Sequence, residues 1–371
     1  MGEDLNMKIA HLFQAHFFSK QAIPFFCNNF QEYKFDCIVL YRPSDPPEYK
    51  SIEGAISIPV NNVRETLSLL RKTLQEYDLV VIHSLFIRTL EKIVLGLFYP
   101  KLIKKIAWVV WGYDLYLNRE PGLVGWLRYR YNQLAQLVFD KKIPRFIGIH
   151  PVDLQTYSKE IRGKAILYFA PYRFTNNRDP FYSELEIIPI SEKIKKGCPI
   201  SIQLGHRSMK ELDHISLLEK LGRYKDENIR IVIPLSYGDK GYANEVEKCA
   251  KSFFGDKVLI LRDLLPVVEY RKLQSTIDIL IINSMRQIAL GNIHSMFYMC
   301  KGVFLPRGSL LSDYFKENGI PILDIEDIGH VTFKELLSDR DFSVEKEFIQ
   351  KFDSENSAQI WKKVFNDMLR N

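Results

Sequence analysis

The residues able to hold a proton or an anion sit just beyond short apolar runs. In the first half of the chain, "DLVVIHSLF" ends its run at His83 and Ser84. "KIAWVVWGYDLYL" breaks at Trp111 into Gly112, Tyr113, Asp114 and Leu115, and "RFIGIH" stops at His150. Asp114 first, and His83 second, are the groups there suited to take a proton from a hydroxyl. An Asp in that place equally caps a turn, and a His on an apolar run equally fills a core. In the second half, "LGHRS" puts Gly205, Arg207 and Ser208 at a run's end, and "LSYG" does the same with Tyr237 and Gly238. "RQIALGNIHS" sets Arg286, Gly291, Asn292 and Ser295 around the start of an apolar helix. Helix N-terminal N–H groups and a guanidinium complement a diphosphate. Two such segments point to a nucleotide diphosphate, with Tyr237 and Gly238 lining the nucleotide or sugar pocket. Neither G-x-x-x-x-G-K-[ST] nor G-x-G-x-x-G occurs, which argues against a P-loop ATPase and an NAD dehydrogenase.

Such residues need a scaffold that brings strand ends to one edge. The apolar runs 7–13, 35–42, 54–60, 78–86 and 105–112 alternate with helical patterns over 63–77 and 88–99. Runs 145–150 and 164–172 follow. The alternation resumes from "PISIQLG" (199–205) through "PILDI" (321–325). Strands alternating with helices signal a parallel sheet covered on both faces, and ligands bind beyond the carboxyl ends of its strands. The reading is α/β: two facing Rossmann-like domains over 1–175 and 199–340, a linker over 176–198, and a helical segment over 341–371 that packs back on the first domain.

The chain has 371 residues, more than one core comfortably serves. Its five cysteines, Cys27, Cys37, Cys198, Cys249 and Cys300, are an odd set with no C-x-x-C, so neither a disulfide framework nor a zinc site is expected. No charge-free stretch is long enough to span a membrane, and the N-terminus lacks a secretory pattern. Net charge is +6, but residues 1–175 hold 23 Lys+Arg against 16 Asp+Glu, and residues 88–145 hold 11 against 4. A localised basic surface attracts phosphate-bearing partners. "GWLRYRYNQLAQLVFDKK" (125–142) places Arg128, Arg130, Lys141 and Lys142 beside a helical apolar pattern, which either faces the core or meets lipid. Trp111, Tyr113 and these four basic residues are the candidates for an acceptor or membrane surface.

"WVVWGYDLY" resembles the TDP-N-acetylfucosamine:lipid II N-acetylfucosaminyltransferases, glycosyltransferase family fifty-six, whose W-G-x-D-L-Y element matches Trp111, Gly112, Asp114, Leu115 and Tyr116. "VVIHSLF", "LYFAPYRF", "IQLGHRSMKELDHI", "VIPLSYG" and "RQIALGNIHS" resemble further family segments in the same order, with Ser236 standing where the family has Gly. The resemblance covers roughly residues 80–340. It implies the GT-B architecture, a nucleotide-sugar donor (dTDP- or UDP-linked) on the C-terminal domain and no metal or other cofactor. It also implies transfer of a sugar, such as 4-acetamido-4,6-dideoxygalactose or a related deoxyamino sugar, to an undecaprenyl-diphosphate-linked saccharide of bacterial surface polysaccharide assembly. The protein would then be cytoplasmic and peripheral on the inner face of the membrane, with no nucleic-acid partner. The alternatives are a nucleotide-sugar epimerase of the same fold and a non-catalytic saccharide- or nucleotide-binding assembly partner.

Overall fold

The computed structural model describes residues 7–117, 121–172, 188–337 and 354–370, together with Phe342, Val344 and Phe348. It divides into two compact units, residues 1–176 with 352–371, and residues 177–351.

The first unit is built on seven parallel strands: β1 (Ile9–Gln14), β2 (Phe35–Tyr41), β3 (Ala55–Pro59), β4 (Leu79–His83), β5 (Ile106–Val109), β6 (Arg145–Gly148) and β7 (Ile166–Phe169). Their order is β3-β2-β1-β4-β5-β6-β7, so the chain reverses its direction of travel between β1 and β4. β4 and β5 are buried throughout, the signature of strands covered on both faces. One face packs against a core that includes Leu70, Leu95, Trp108 and Phe146. The other packs against Phe13, Phe26, Trp361 and Phe365. Two helices cover that second face, Phe17–Asn29 and Ser354–Arg370. No periodic charge pattern marks Phe17–Asn29, and Pro24 interrupts it. It is helical because Ala22, Ile23, Phe25 and Phe26 bury against the sheet and the His16 ring caps the Phe18 N–H at 3.2 Å. On the first face, the helix Thr89–Phe98 lies close to Gly122–Val138. A methyl group on Gly96 would sit 2.5 Å from the Val138 carbonyl, so only glycine permits that approach.

The second unit holds six parallel strands: β8 (Ile200–Leu204), β9 (Ile229–Pro234), β10 (Val258–Leu261), β11 (Ile279–Ile281), β12 (Gly302–Leu305) and β13 (Ile322–Asp324). Their order, β10-β9-β8-β11-β12-β13, is the doubly wound dinucleotide-binding order, with its reversal between β8 and β11. At the opposite edge of the sheet, buried Asp278 binds Lys193 at 2.7 Å, Lys301 at 3.1 Å and the Ser201 N–H at 2.9 Å. The segment read as a linker contains a helix, Ile190–Lys195, whose Ile190 enters this unit's core. Residues 176–187 of that segment lie outside the described residues. The helix after β8 begins only at His214, because Ser208 bridges to Gly238 of the neighbouring loop and Lys210–Leu212 form a separate turn.

Candidate functional site

In the second unit, the loops leaving β8 and β9 are zipped together. The Ser208 N–H donates to the Tyr237 carbonyl and the Asp239 N–H to the Ser208 carbonyl, both at 2.9 Å. Gly238 has φ 113°, and a Cβ there would lie 1.9 Å from the Ser208 carbonyl oxygen. Gly205 has φ 69°, and its missing Cβ leaves room for the His214 ring. Both glycines are therefore demanded by backbone closeness. The zipper presents Arg207 at the strand edge, 6.0 Å above the Tyr237 ring, with Tyr237 45% exposed. The Arg207 Nε has no hydrogen-bond partner among the described residues.

Across the reversal point, the loop after β11 supplies Arg286. Glu211 holds its Nε at 3.4 Å and accepts from the Ser284 hydroxyl at 2.8 Å, while the Ser284 oxygen accepts from the Arg286 N–H at 3.0 Å. Glu211 thus joins the β8 loop to the β11 loop, a role that an isolated Glu in the sequence gave no sign of. Gly291 and Asn292 stand in the first turn of the helix Leu290–Tyr298. The Ser295 hydroxyl donates to the Gly291 carbonyl at 2.9 Å, one turn back in the same helix.

In the first unit, the structure separates the two residues expected to handle a proton. His83 is fully buried, stacked on Phe13 with ring centroids 4.0 Å apart. Its Nε2 meets His11 Nδ1 at 2.8 Å and its Nδ1 meets the Tyr172 hydroxyl. Burial, with His11 adding to it, holds its pKa well below the ordinary imidazole range. Asp114 is half-buried and saturated with donors. Oδ2 accepts from the Leu85 N–H and the Trp108 indole, each at 2.7 Å, and Oδ1 from the Trp111 N–H at 3.0 Å. Burial raises its carboxyl above the usual range, and those N–H groups pull it partly back. Gly112, at φ 92°, turns the chain so that the carboxylate reaches behind its own strand. Tyr113 lies in the turn Tyr113–Leu115, with its side chain outside the description.

A cavity of about 120 Å³ opens at this unit's own reversal point, beyond β1, β2 and β4. Gln14, Arg42, Asp45, Phe86, Arg88 and Glu91 are among its lining residues. Nothing in their local sequence distinguishes them from surface polar residues, since only the strand order brings them together.

The helix Gly122–Val138 buries only Gly125, Ala135, Gln136 and Val138. Leu123 is 74% exposed, Leu127 53% and Leu137 58%, with Trp126, Tyr131 and Leu134 also exposed. Arg128 and Arg130 share the helix's exposed surface, Lys142 is exposed beyond its end and Lys141 is half-buried. Among the described residues no group of three or more His, Cys, Asp or Glu could hold a metal ion, and no helix is long and apolar enough to cross a membrane.

Two parallel, doubly wound sheets define an α/β protein of the GT-B glycosyltransferase class. The fold is similar to that of Anabaena HepE in complex with UDP and glucose, with TM-score 0.64 at 14% identity, covering 98% of this chain and 100% of that one. It is also similar to the E. coli trehalose-6-phosphate protein bound with UDP-2-fluoro glucose, with TM-score 0.63 at 10% identity, covering 98% and 99%. A glycosyltransferase from Rickettsia africae matches with TM-score 0.57 at 13% identity, covering 98% and 96%. Residues 69–369 match the family described as 4-alpha-L-fucosyltransferase, glycosyl transferase group 56, and the chain belongs to that family. It is a glycosyltransferase.

Proposed function

We propose that the second unit binds a nucleoside-diphosphate sugar and that the enzyme transfers its sugar, a deoxyamino hexose, to an undecaprenyl-diphosphate-linked saccharide at an anionic membrane surface. The observation that carries the reading is that Arg207 stands in the β8 loop and Arg286 in the β11 loop, on either side of the second sheet's reversal point, with Glu211 coupling the two loops. The UDP and UDP-sugar complexes of the similar folds support the nucleotide class. As the acceptor hydroxyl oxygen bonds to the anomeric carbon it gives up its proton to solvent, and the bond to the diphosphate breaks with its electron pair leaving on the diphosphate. The two guanidiniums would neutralise that charge in place of a metal. Asp114 acts through the loops it ties together, and His83 holds the aromatic core beneath them; both are positioning residues in this reading.

Arg207→Ala should weaken binding of UDP or dTDP by about 1.5–3 kcal/mol, the scale of a charge-assisted hydrogen bond. Calorimetry showing unchanged affinity would sink the donor assignment. Turnover of the nucleotide sugar should require a short-chain polyprenyl-diphosphate oligosaccharide and should persist in a chelator. Isomerisation of the donor without acceptor would instead indicate the epimerase. Donor binding with no turnover on any acceptor would indicate a binding module.

A further inference from the structure

The cavity of about 120 Å³ in the first unit uses none of the residues assigned above. Its place is informative. Gln14 ends β1 and Ala15 follows it, while Phe86, Arg88 and Glu91 follow β4, so the cavity straddles the point where the strand order reverses. In open α/β sheets that crevice is where ligands bind.

Its chemistry is mixed. Arg42 and Arg88 bring guanidiniums for which no ion pair is formed among the described residues. Asp45 and Glu91 bring carboxylates, Gln14 an amide and Phe86 an aromatic wall. Glu91 is 1% exposed and stands in the first turn of its helix. Its Oε2 accepts from the Arg88 N–H at 2.7 Å, while Oε1 has no hydrogen-bond partner among the described residues. The Thr66 hydroxyl beside it is committed to the Asn62 carbonyl at 3.0 Å. A buried carboxylate oxygen without a donor is costly, and so it marks a place where a ligand donor fits. Burial, opposed by the Arg88 N–H, the Arg88 charge, the nearby Thr66 hydroxyl and then the Arg42 charge, leaves the Glu91 carboxyl raised.

Two cations and two carboxylates in one small lining cancel, which does not suit a phosphate. Donors and acceptors together in one lining with an aromatic side chain suit a ring bearing several hydroxyls. We propose that this cavity binds a sugar ring of the acceptor, with Glu91 Oε1 accepting from a ring hydroxyl and the Arg42 and Arg88 guanidiniums donating to ring oxygens. The inference rests on the reading that this unit receives the acceptor.

Saturation-transfer NMR on the full chain, with a panel of methyl glycosides and with UDP as an internal reference, tests it. At least one glycoside should bind the wild type, and its affinity should fall about tenfold or more in Glu91→Gln and in Arg88→Ala, the loss expected for a charge-assisted contact. Arg42→Ala, and Ala15→Leu, which fills the cavity without touching a charge, should weaken the same glycoside. They decide the matter should the Glu91 variant fail to fold, as loss of its UDP signal would show. A glycoside signal unchanged in all four variants, no glycoside binding to the wild type, or inorganic phosphate binding that depends on Arg42 and Arg88 would each overturn the proposal. UDP binding that survives in the wild type while glycosides fail would leave the donor site standing, so the two failures are distinguishable.

Discussion

Asp114 shows how a residue's type can be legible while its task is not. The sequence marks a carboxylate at a strand end, the place where a base would stand. The structure gives it three N–H donors, from Leu85, Trp108 and Trp111. Asp114→Asn replaces one acceptor oxygen by an NH₂ that confronts a donor. It should cost about 1–3 kcal/mol of stability, the penalty of an unsatisfied buried polar group. Urea unfolding checks this, and a variant as stable as wild type would mean that the carboxylate is not a tie. His83 was equally ambiguous, since burial and partners decide a histidine's role and neither is written in "VVIHSLF". The position of Arg207 and Arg286 beyond strand ends is visible in the sequence, whereas the Glu211 tie between two loops and the place of Glu91 in a cavity lining come only from the fold. The buried histidines also set an acid limit. His214 is fully buried, and desolvation lowers its pKa from 6.5 to about 4. Its folded pKa is depressed, so its contribution is present above pH 6.5 and is lost as pH falls toward about 4. Between pH 7 and pH 5 the wild type should lose about 2 kcal/mol more stability than His214→Gln, by linkage. Parallel pH profiles for the two would remove His214 from that account.

At the scale of elements, continuously apolar strands were visible and helices without a periodic charge pattern were not. Phe17–Asn29 is the instance: its helicity comes from burial against β1 and β4 rather than from propensity. The helix Gly122–Val138 had a visible pattern but an undecided face. At about 100° per residue, Trp126, Leu137, Leu123, Leu134 and Leu127 fall within one arc, and all five are exposed. Leu97 and Phe98 of the adjoining helix are exposed at 55% and 72%. At the same spacing Arg130 falls inside that arc and Arg128 about 100° beyond its edge, and an exposed apolar surface that carries an arginine matches an interfacial helix. Vesicles containing anionic lipid should pellet the protein and neutral vesicles should not. Arg128, Arg130, Lys141 and Lys142 changed together to Gln should each forfeit up to about 1 kcal/mol of that attraction. Leu123, Leu127 and Leu137 changed to Gln should weaken binding at high salt as well, where screening has already removed the charge term. Equal pelleting of all three proteins would show that this helix does not meet lipid.

At the scale of the molecule, the two rounds of alternation and the charge asymmetry were legible, and what holds the last helix to the first unit is its packing. Trp361 is fully buried in the first unit, stacked on Tyr172 with centroids 5.8 Å apart, and its indole donates to the Pro171 carbonyl at 3.1 Å. Trp361→Ala should cost about 3–5 kcal/mol. The loss should appear in the unfolding of residues 1–176 and not in that of residues 177–351. Hydrogen exchange resolves the two, and uniform loss of protection would contradict it.

The helix Ser354–Arg370 also orders events in time. The face of the first sheet that it covers is synthesised more than 170 residues earlier, since the whole of 177–351 intervenes. At about 5–20 residues per second, the ribosome needs roughly 10–35 s to make that stretch. Throughout that interval Phe26 and its neighbours have no Trp361 or Phe365 to cover them. The second unit can be complete while the first is still open, so the half begun first is finished last. A chain ended at residue 351 and released should therefore carry a folded C-terminal unit and an N-terminal unit that chaperones still recognise.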